Sequence, residues 1–246
     1  MIQFFRGPKK GYSVKEHKDG IFFATDTKEI IVNGYSYTGP VEEEKDECGW
    51  LDVVGSIEEA FTTGGMVTLI EDKVINEPLV VKSGVSAVLD LNGRSISYSN
   101  KLAKRNWAIE VENGASLIIR GEGLINGGSG SDNMAAIIYG NCKIESGTFT
   151  VGPDANGEGN ACIEVRDGGH LKVSGGVFST EVAYRGKYFV LNKKDNSDSV
   201  ITVTGGLFIN YNPSNSETEN PTQDFVANGY KAIKIEGTNN YQVIKL

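Results

Sequence analysis

The chain has 246 residues, a formal net charge of −8, 31 glycines and only 6 prolines. This length allows one large domain and a small one, and the acidic charge argues against the phosphate-neutralising surface of a nucleic-acid-binding protein. Many glycines with few prolines indicate frequent tight turns rather than a disordered, proline-rich chain.

The first 39 residues share no repeat with the rest of the chain. Within them, residues 20–34 place two apolar segments around a short polar turn at 26–29, and this pattern predicts a β-hairpin. A two-stranded hairpin is marginal by itself, so this N-terminal β module needs cover from Phe4 and Phe5, a partner chain or a larger particle. The module is also where we expect oligomerisation or attachment.

Residues 40–55 are rich in acidic side chains and predict a linker to a second domain, 56–246. That domain opens with Ser56 and, three residues later, Glu59, which is the spacing of a capping box. We therefore expect a short helix over 56–63 that caps the N-terminal end of the repeats that follow.

Five later segments share a template with apolar residues at positions 1, 3 and 8, and four of them carry glycine at position 5. The segments are 89–96, 117–124, 142–149, 171–178 and 201–208. Their first residues predict one buried column, which is Leu89, Leu117, Cys142, Leu171 and Ile201. Their last residues predict a second column, which is Ile96, Leu124, Phe149, Phe178 and Phe208. The second set recurs at steps of 28, 25, 29 and 30 residues, which indicates a solenoid.

The template has a simple physical meaning. Positions 1 and 3 lie on one face of a strand because side chains alternate with period two, and glycine at position 5 permits a sharp bend before the next strand. A leucine-rich repeat would be shorter, and a propeller blade would be longer. The repeat predicts an all-β fold: a right-handed parallel β-helix with three strands per coil and coils of about 28 residues.

Two alternating segments, 109–114 and 163–168, predict a further strand of each coil with isoleucine and valine inward. The charged residues expected to point outward are Glu110, Glu112, Glu164 and Arg166. We expect 137–138 and 190–191 to fill the same inward layer in other coils. Beyond the repeats, 211–224 predicts a polar loop and 225–246 predicts a closing hairpin.

The case for an enzyme depends on paired carboxylates. Glu110 and Glu112 would lie about 6.5 Å apart from strand rise alone, a spacing used in glycoside hydrolysis. Outward neighbours on any β-helix reproduce that spacing, so we interpret both as solvated charges. Asp154 and Asp195 lie in segments typical of turns rather than of calcium sites. No nucleophile elbow, P-loop or His/Cys metal spacing is present, and we expect no catalytic residue, no metal and no cofactor.

The three cysteines, Cys48, Cys142 and Cys162, match neither a zinc site nor a disulfide framework. Free thiols favour a reducing compartment, and Cys142 at template position 1 is interpreted as a small core residue. The first residues lack the plan of a signal peptide, and no apolar run approaches the roughly 20 residues of a membrane helix. We expect synthesis in the cytoplasm without membrane insertion.

Several segments resemble known families. Residues 65–98, with 77–80 and 89–93, resemble the first coils of pectin-lyase-like β-helices. The Gly-Gly-x-Phe coils followed by 225–230 are similar to β-helical modules of bacterial surface and phage proteins. The opening segments 3–7 and 20–27, with 32–34, resemble the attachment segment that begins fibre and appendage proteins of tailed bacteriophages.

These resemblances imply a structural virion appendage, a head or tail fibre-like protein. The particle-anchoring candidates are Phe4, Phe5, Arg6, Phe22 and Phe23. The implied partners are capsid or tail proteins and further copies of the chain, with a homotrimer favoured over a dimer. The implied location is the virion, after synthesis in the host cytoplasm and release by lysis.

A projecting β-helix would suit repeated weak contact with host-surface glycans. The candidate contacts are Tyr184, Tyr188, Tyr211 and the polar loop 212–224. Two alternatives stay open, namely a β-helical polysaccharide depolymerase and a bacterial surface adhesin. Fold alone does not choose among the three.

Overall fold

The computed structural model divides the chain into two compact units, residues 1–53 and 54–246. It describes residues 54–99 and 106–246 and, in the first unit, the backbone of four strands. These are β1 (Ser13–Glu16), β2 (Phe22–Thr25), β3 (Glu29–Val32) and β4 (Tyr35–Thr38).

Strand pairing in the first unit differs from the predicted hairpin. Both predicted segments are strands, but β2 pairs antiparallel with β1, and β3 pairs antiparallel with β4. The segments Ser13–Glu16 and Tyr35–Thr38, which the prediction left unassigned, contain β-forming residues and supply these partners. Most of the predicted turn, residues 26–28, lies outside the described residues.

The second unit is a parallel β-helix preceded by one short helix, α1 (Ile57–Thr63). Its strands are β5 (Gly65–Thr68), β6 (Lys73–Ile75), β7 (Leu79–Val81), β8 (Ser86–Asp90), β9 (Arg94–Tyr98), β10 (Asn106–Val111), β11 (Ser116–Arg120), β12 (Gly123–Asn126), β13 (Asn133–Ile138), β14 (Asn141–Ile144), β15 (Thr148–Thr150), β16 (Ile163–Val165), β17 (His170–Val173), β18 (Val177–Phe178), β19 (Leu191–Lys193), β20 (Val200–Val203), β21 (Leu207–Phe208), β22 (Tyr230–Lys234) and β23 (Tyr241–Lys245).

Successive coils stack so that every third strand joins the same sheet. The first sheet is β5-β8-β11-β14-β17-β20, the second is β6-β9-β12-β15-β18-β21, and the third is β7-β10-β13-β16-β19. Each of these neighbouring pairs is parallel. The predicted parallel β-helix with coils of about 28 residues is confirmed.

The predicted capping helix is confirmed over Ile57–Thr63. The Ser56 side chain accepts a hydrogen bond from the Glu59 backbone N–H at 3.1 Å, and the Glu59 carboxylate accepts one from Gly55 N–H at 3.1 Å. The inward residues Ile57, Ala60 and Phe61 are buried, and the helix packs on β5, β7 and β8. The apolar end of the first coil is therefore covered.

The first predicted column is correct in four of its five members. Cys142 and Leu171 are register partners, with Leu117 and Ile201 in the coils on either side. In the coil before Leu117 the partner is Ala87, whereas the predicted Leu89 stacks on Ile119. Extra residues in the turn after β8 shift the spacing between the first and second strands.

The second predicted column contains a similar one-residue error. Ile96, Phe149, Phe178 and Phe208 share one inward line, but the coil between Ile96 and Phe149 contributes Ile125 and not Leu124. Ile125 is fully buried, and Leu124 is half-buried. Its coil has one more residue in the turn, where Gly121 and Gly123 both have positive φ.

Paired glycines form the same turn in later coils, and their roles differ. Gly176 has a φ of 97°, so the bend that the template placed at position 5 lies at position 6. Gly175 has no such φ, but a Cβ there would overlap the backbone carbonyl of Glu145 in the previous coil. One glycine thus permits the bend, and the other permits close stacking.

The third sheet confirms the inward residues Ile109 and Ile163, whose register partners include Ala136 and Leu191. Ile138 also lies inward, next to Val111. The prediction was wrong for Ile137, which shares the outward face with Glu164 because side chains alternate along the strand. Both residues are buried, so this face is less solvated than predicted. Glu164 forms an ion pair with Arg166 beside it.

The predicted closing hairpin is present at the C-terminal end. Strands β22 and β23 are antiparallel, and β23 pairs antiparallel with β21, where Phe208 faces Tyr241. The hairpin therefore extends the second sheet and buries Val243 against the last coil.

Candidate ligand-binding cleft

A cleft of about 230 Å³ lies at the C-terminal end of the β-helix. Three segments supply its lining: residues 186–188, residues 210–212, 215, 217 and 218, and the hairpin residues 239 and 241. They come from different coils and from the closing hairpin, so the cleft depends on the packing of the whole end of the domain.

The first wall is a tight turn. Tyr184 and Lys187 exchange backbone hydrogen bonds of 2.9 and 3.0 Å, and the central residues Arg185 and Gly186 have φ of 49° and 81°. Two successive positive φ values are the pattern of a type I′ turn. This turn carries Tyr188 to the cleft.

The second wall is the loop 211–224, which is fastened to the coil beneath it. The Tyr211 hydroxyl donates to the Leu191 carbonyl at 3.1 Å and lies 2.8 Å from Ser216 Oγ. The Glu219 carboxylate accepts a hydrogen bond from Lys193 N–H at 3.0 Å. Burial raises the pKa of both Tyr211 and Glu219.

The third wall is the closing hairpin. Asn240 Oδ1 accepts a hydrogen bond from Asn210 N–H at 3.1 Å, and Tyr241 pairs with Phe208. Across the cleft, Lys187 Nζ donates to the Glu217 carbonyl at 2.6 Å. These bonds join all three walls.

The lining combines aromatic rings with free hydrogen-bonding groups. In the described part of the chain, no hydrogen bond engages the side-chain amides of Asn210, Asn215 and Asn239 or the hydroxyls of Tyr188 and Tyr241. The lining is mostly polar, and it offers a ligand several hydrogen-bond donors and acceptors beside the tyrosine rings.

The three tyrosines proposed as ligand contacts have different environments. Tyr188 lines the cleft and is half-buried. Tyr211 also lines it but is only 5% exposed, so the expectation of an exposed residue was wrong. Its hydroxyl forms hydrogen bonds within the fold, and the centroid of its ring lies 6.1 Å from that of Phe208. Tyr184 lies outside the lining, edge-on to Phe189 and beneath the Arg185 guanidinium.

The anchoring candidates all belong to the first unit. Phe4, Phe5 and Arg6 lie outside the described residues, and Phe22 and Phe23 are described only as backbone of β2. Their role as an anchor stays a prediction.

The two glutamates considered for catalysis are both engaged by neighbours. Glu110 accepts a hydrogen bond from Trp107 Nε1 at 2.8 Å. Glu112 accepts from Lys82 Nζ and from Ser83 N–H, each at 2.9 Å, and the bond from Lys82 lowers the pKa of Glu112. Glu112 thus links two successive coils.

Other candidate groups have structural environments. Asp154 Oδ1 accepts hydrogen bonds from the N–H groups of Asn156 and Glu158, as expected for a turn. Cys142 is buried as predicted, and burial raises the pKa of its thiol to about 12. Among the described residues, no group of three or more His, Cys, Asp or Glu side chains could hold a metal ion. None of the helices in this part of the chain is both long and apolar enough to cross a membrane.

Sequence reasoning missed Asn239 and Tyr241 in this cleft. Asn239 lies within the predicted hairpin turn, 237–240, so its exposure was foreseeable, whereas Tyr241 follows that turn and is half-buried. Their closeness to Tyr188 was not foreseeable, because it depends on β23 pairing with β21.

Comparison with known proteins found no match: no family model matches the chain, and neither does any of the curated proteins or solved structures.

Proposed function

We propose that the protein is a structural appendage of a tailed-bacteriophage virion that binds host-surface glycans without cleaving them. The binding role is supported by the cleft at the end of the β-helix. Its lining contains Tyr188, Tyr241 and asparagine side chains whose amides form no hydrogen bond within the described residues. The resemblance of residues 3–7 and 20–27 to phage attachment segments supports the virion setting.

A stacked β-helix suits this task mechanically. Each coil is hydrogen-bonded to the next, and the core is filled by continuous columns such as Phe149, Phe178 and Phe208. The turn, loop and hairpin that form the cleft are held in place by hydrogen bonds to the last coils and to each other. Weak affinity at one cleft would be compensated by many copies on a particle.

A binding role is favoured over depolymerisation because the two glutamates considered for catalysis, Glu110 and Glu112, form hydrogen bonds within the fold. Glu112 is tied to Lys82 and Ser83, and Glu110 is tied to Trp107. Glu110 lies on β10 of the third sheet, Glu112 directly follows that strand and links two coils, and neither residue lines the cleft.

The test is a mass-spectrometric inventory of purified virions combined with a cell-adsorption assay. We expect the chain among the virion proteins and expect antibodies against residues 54–246 to reduce adsorption. The purified protein should release no reducing sugar from host capsule. Sugar release that disappears in Glu110→Gln or Glu112→Gln would establish the depolymerase instead, and absence from virions would refute the appendage.

A further inference from the structure

We propose that the cleft binds a single neutral pyranose ring, the end unit of a glycan chain. This inference rests on the proposed function and names the ligand class of the same site. The size of the cleft, its charge and the unengaged groups in its lining support this assignment.

The size of the cleft limits the ligand. Pockets for drug-sized ligands occupy about 300–1,000 Å³, whereas this cleft measures about 230 Å³. The turn at Lys187, the loop at Glu217 and the hairpin at Asn239 enclose it on three sides. One ring entering from the open side fits this shape better than an extended chain lying across it.

The chemistry of the lining suits a pyranose. The ring of such a sugar has an apolar C–H face and a periphery of hydroxyl groups. Tyrosine rings at positions 188 and 241 offer flat apolar surfaces with little conformational entropy to lose. The amides of Asn215 and Asn239 each provide two donors and one acceptor oxygen, which match hydroxyl groups that both donate and accept.

The charges argue against an acidic sugar. Among the described residues, the lining contains one cation, Lys187, whose ammonium group uses one of its three donors on the Glu217 carbonyl. The exposed Glu217 also belongs to the lining, and the whole chain carries a net charge of −8. The two charges in the described lining offset one another, so a uronate or sialate would find neither a net positive site nor a bidentate partner such as arginine there.

The experiment uses saturation-transfer NMR titrations of the full chain with three probes. These are a methyl hexopyranoside, a methyl N-acetylhexosaminide and a methyl uronide. We expect at least one neutral probe to bind with a dissociation constant on the order of millimolar, and the uronide to bind at least about tenfold more weakly.

Variants locate the site. Tyr188→Ala should weaken binding of the neutral probe by about tenfold or more, as should Asn239→Ala in its exposed turn. Tyr184→Ala is the matched control, since that ring lies outside the lining, and it should leave binding unchanged. Thermal melts of each variant report folding, and Asn239→Ala keeps the test valid if Tyr188→Ala unfolds.

Three results would overturn the inference: no binding of either neutral probe, tighter binding of the uronide, or equal losses in Tyr184→Ala and Tyr188→Ala. The proposed function fails separately. If virions adsorb through glycans while neither neutral probe binds, the ligand assignment is wrong and the appendage stands. If a neutral probe binds but the chain is absent from virions, the cleft assignment stands and the appendage is wrong.

Discussion

Phe149 and Phe178 occupy the same position in neighbouring coils, and their rings stack with centroids 5.2 Å apart and planes 11° apart. Phe208 continues the stack at the same spacing. All three are fully buried, and Tyr211 tilts against the last ring as the loop begins. The aromatic column therefore runs from the middle of the β-helix to the floor of the cleft.

Removal of the middle ring should destabilise the domain strongly. Phe178→Ala deletes a side chain packed on both sides, and we expect a loss of about 3–5 kcal/mol in the free energy of unfolding. Urea titration followed by circular dichroism measures this loss.

Neighbouring positions in an earlier coil provide the matched control. Ile125→Ala should cost about 2–5 kcal/mol because Ile125 is in the column, whereas Leu124→Ala should cost less than about 1.5 kcal/mol. Equal costs at the two positions would contradict the register that places Ile125 in the column.

The buried carboxyl of Glu219 should make stability depend on pH. Desolvation raises its pKa above 4.5 in the folded protein, and Asp195 and Glu164 add repulsion. A carboxyl with a raised pKa contributes stability that is fully present below its unfolded pKa and is lost as pH rises through the folded value. The loop 211–224 should therefore be held more firmly at mildly acidic pH than at pH 8.

The substitution Glu219→Gln tests whether the buried charge causes the pH dependence, because glutamine keeps an acceptor oxygen for Lys193 N–H but carries no charge. Relative to the parent, we expect the variant to gain stability at pH 8 and to lose that gain near pH 4.5, as measured by thermal unfolding. Glu217→Gln, in the same loop but exposed, should change neither value. A gain for Glu219→Gln that is independent of pH would show that desolvation of the charge is not its cause.

Local patterns predicted the β-helix but not the cleft. Alternation and glycine placement identified the columns through Cys142 and Phe178, because both signals act within a few residues. The register failed at Leu124, where one extra turn residue is invisible to a fixed template. Tyr211 was expected in solvent because its neighbours are asparagine, proline and serine. Its burial depends on the long-range bond to the Leu191 carbonyl.

The two described cysteines should be unreactive in the native state. Cys142 and Cys162 are both buried, and desolvation raises the pKa of each thiol to about 12. At pH 8 both remain protonated, so iodoacetamide should label them only after denaturation. Peptide mapping by mass spectrometry distinguishes them from Cys48, and rapid labelling of native Cys142 would contradict the burial.

Deletion of residues 1–40 should separate folding from attachment. The β-helix has its own N-terminal cap, because Ser56 caps α1 and the Phe61 carbonyl accepts a hydrogen bond from Lys82 N–H at 2.9 Å. The truncated chain should therefore keep the circular dichroism spectrum of a β-helix and should still melt cooperatively. If the N-terminal β module is the anchor, the same deletion abolishes incorporation into particles. Truncated protein that enters virions at the normal level would place the anchor within the β-helix itself.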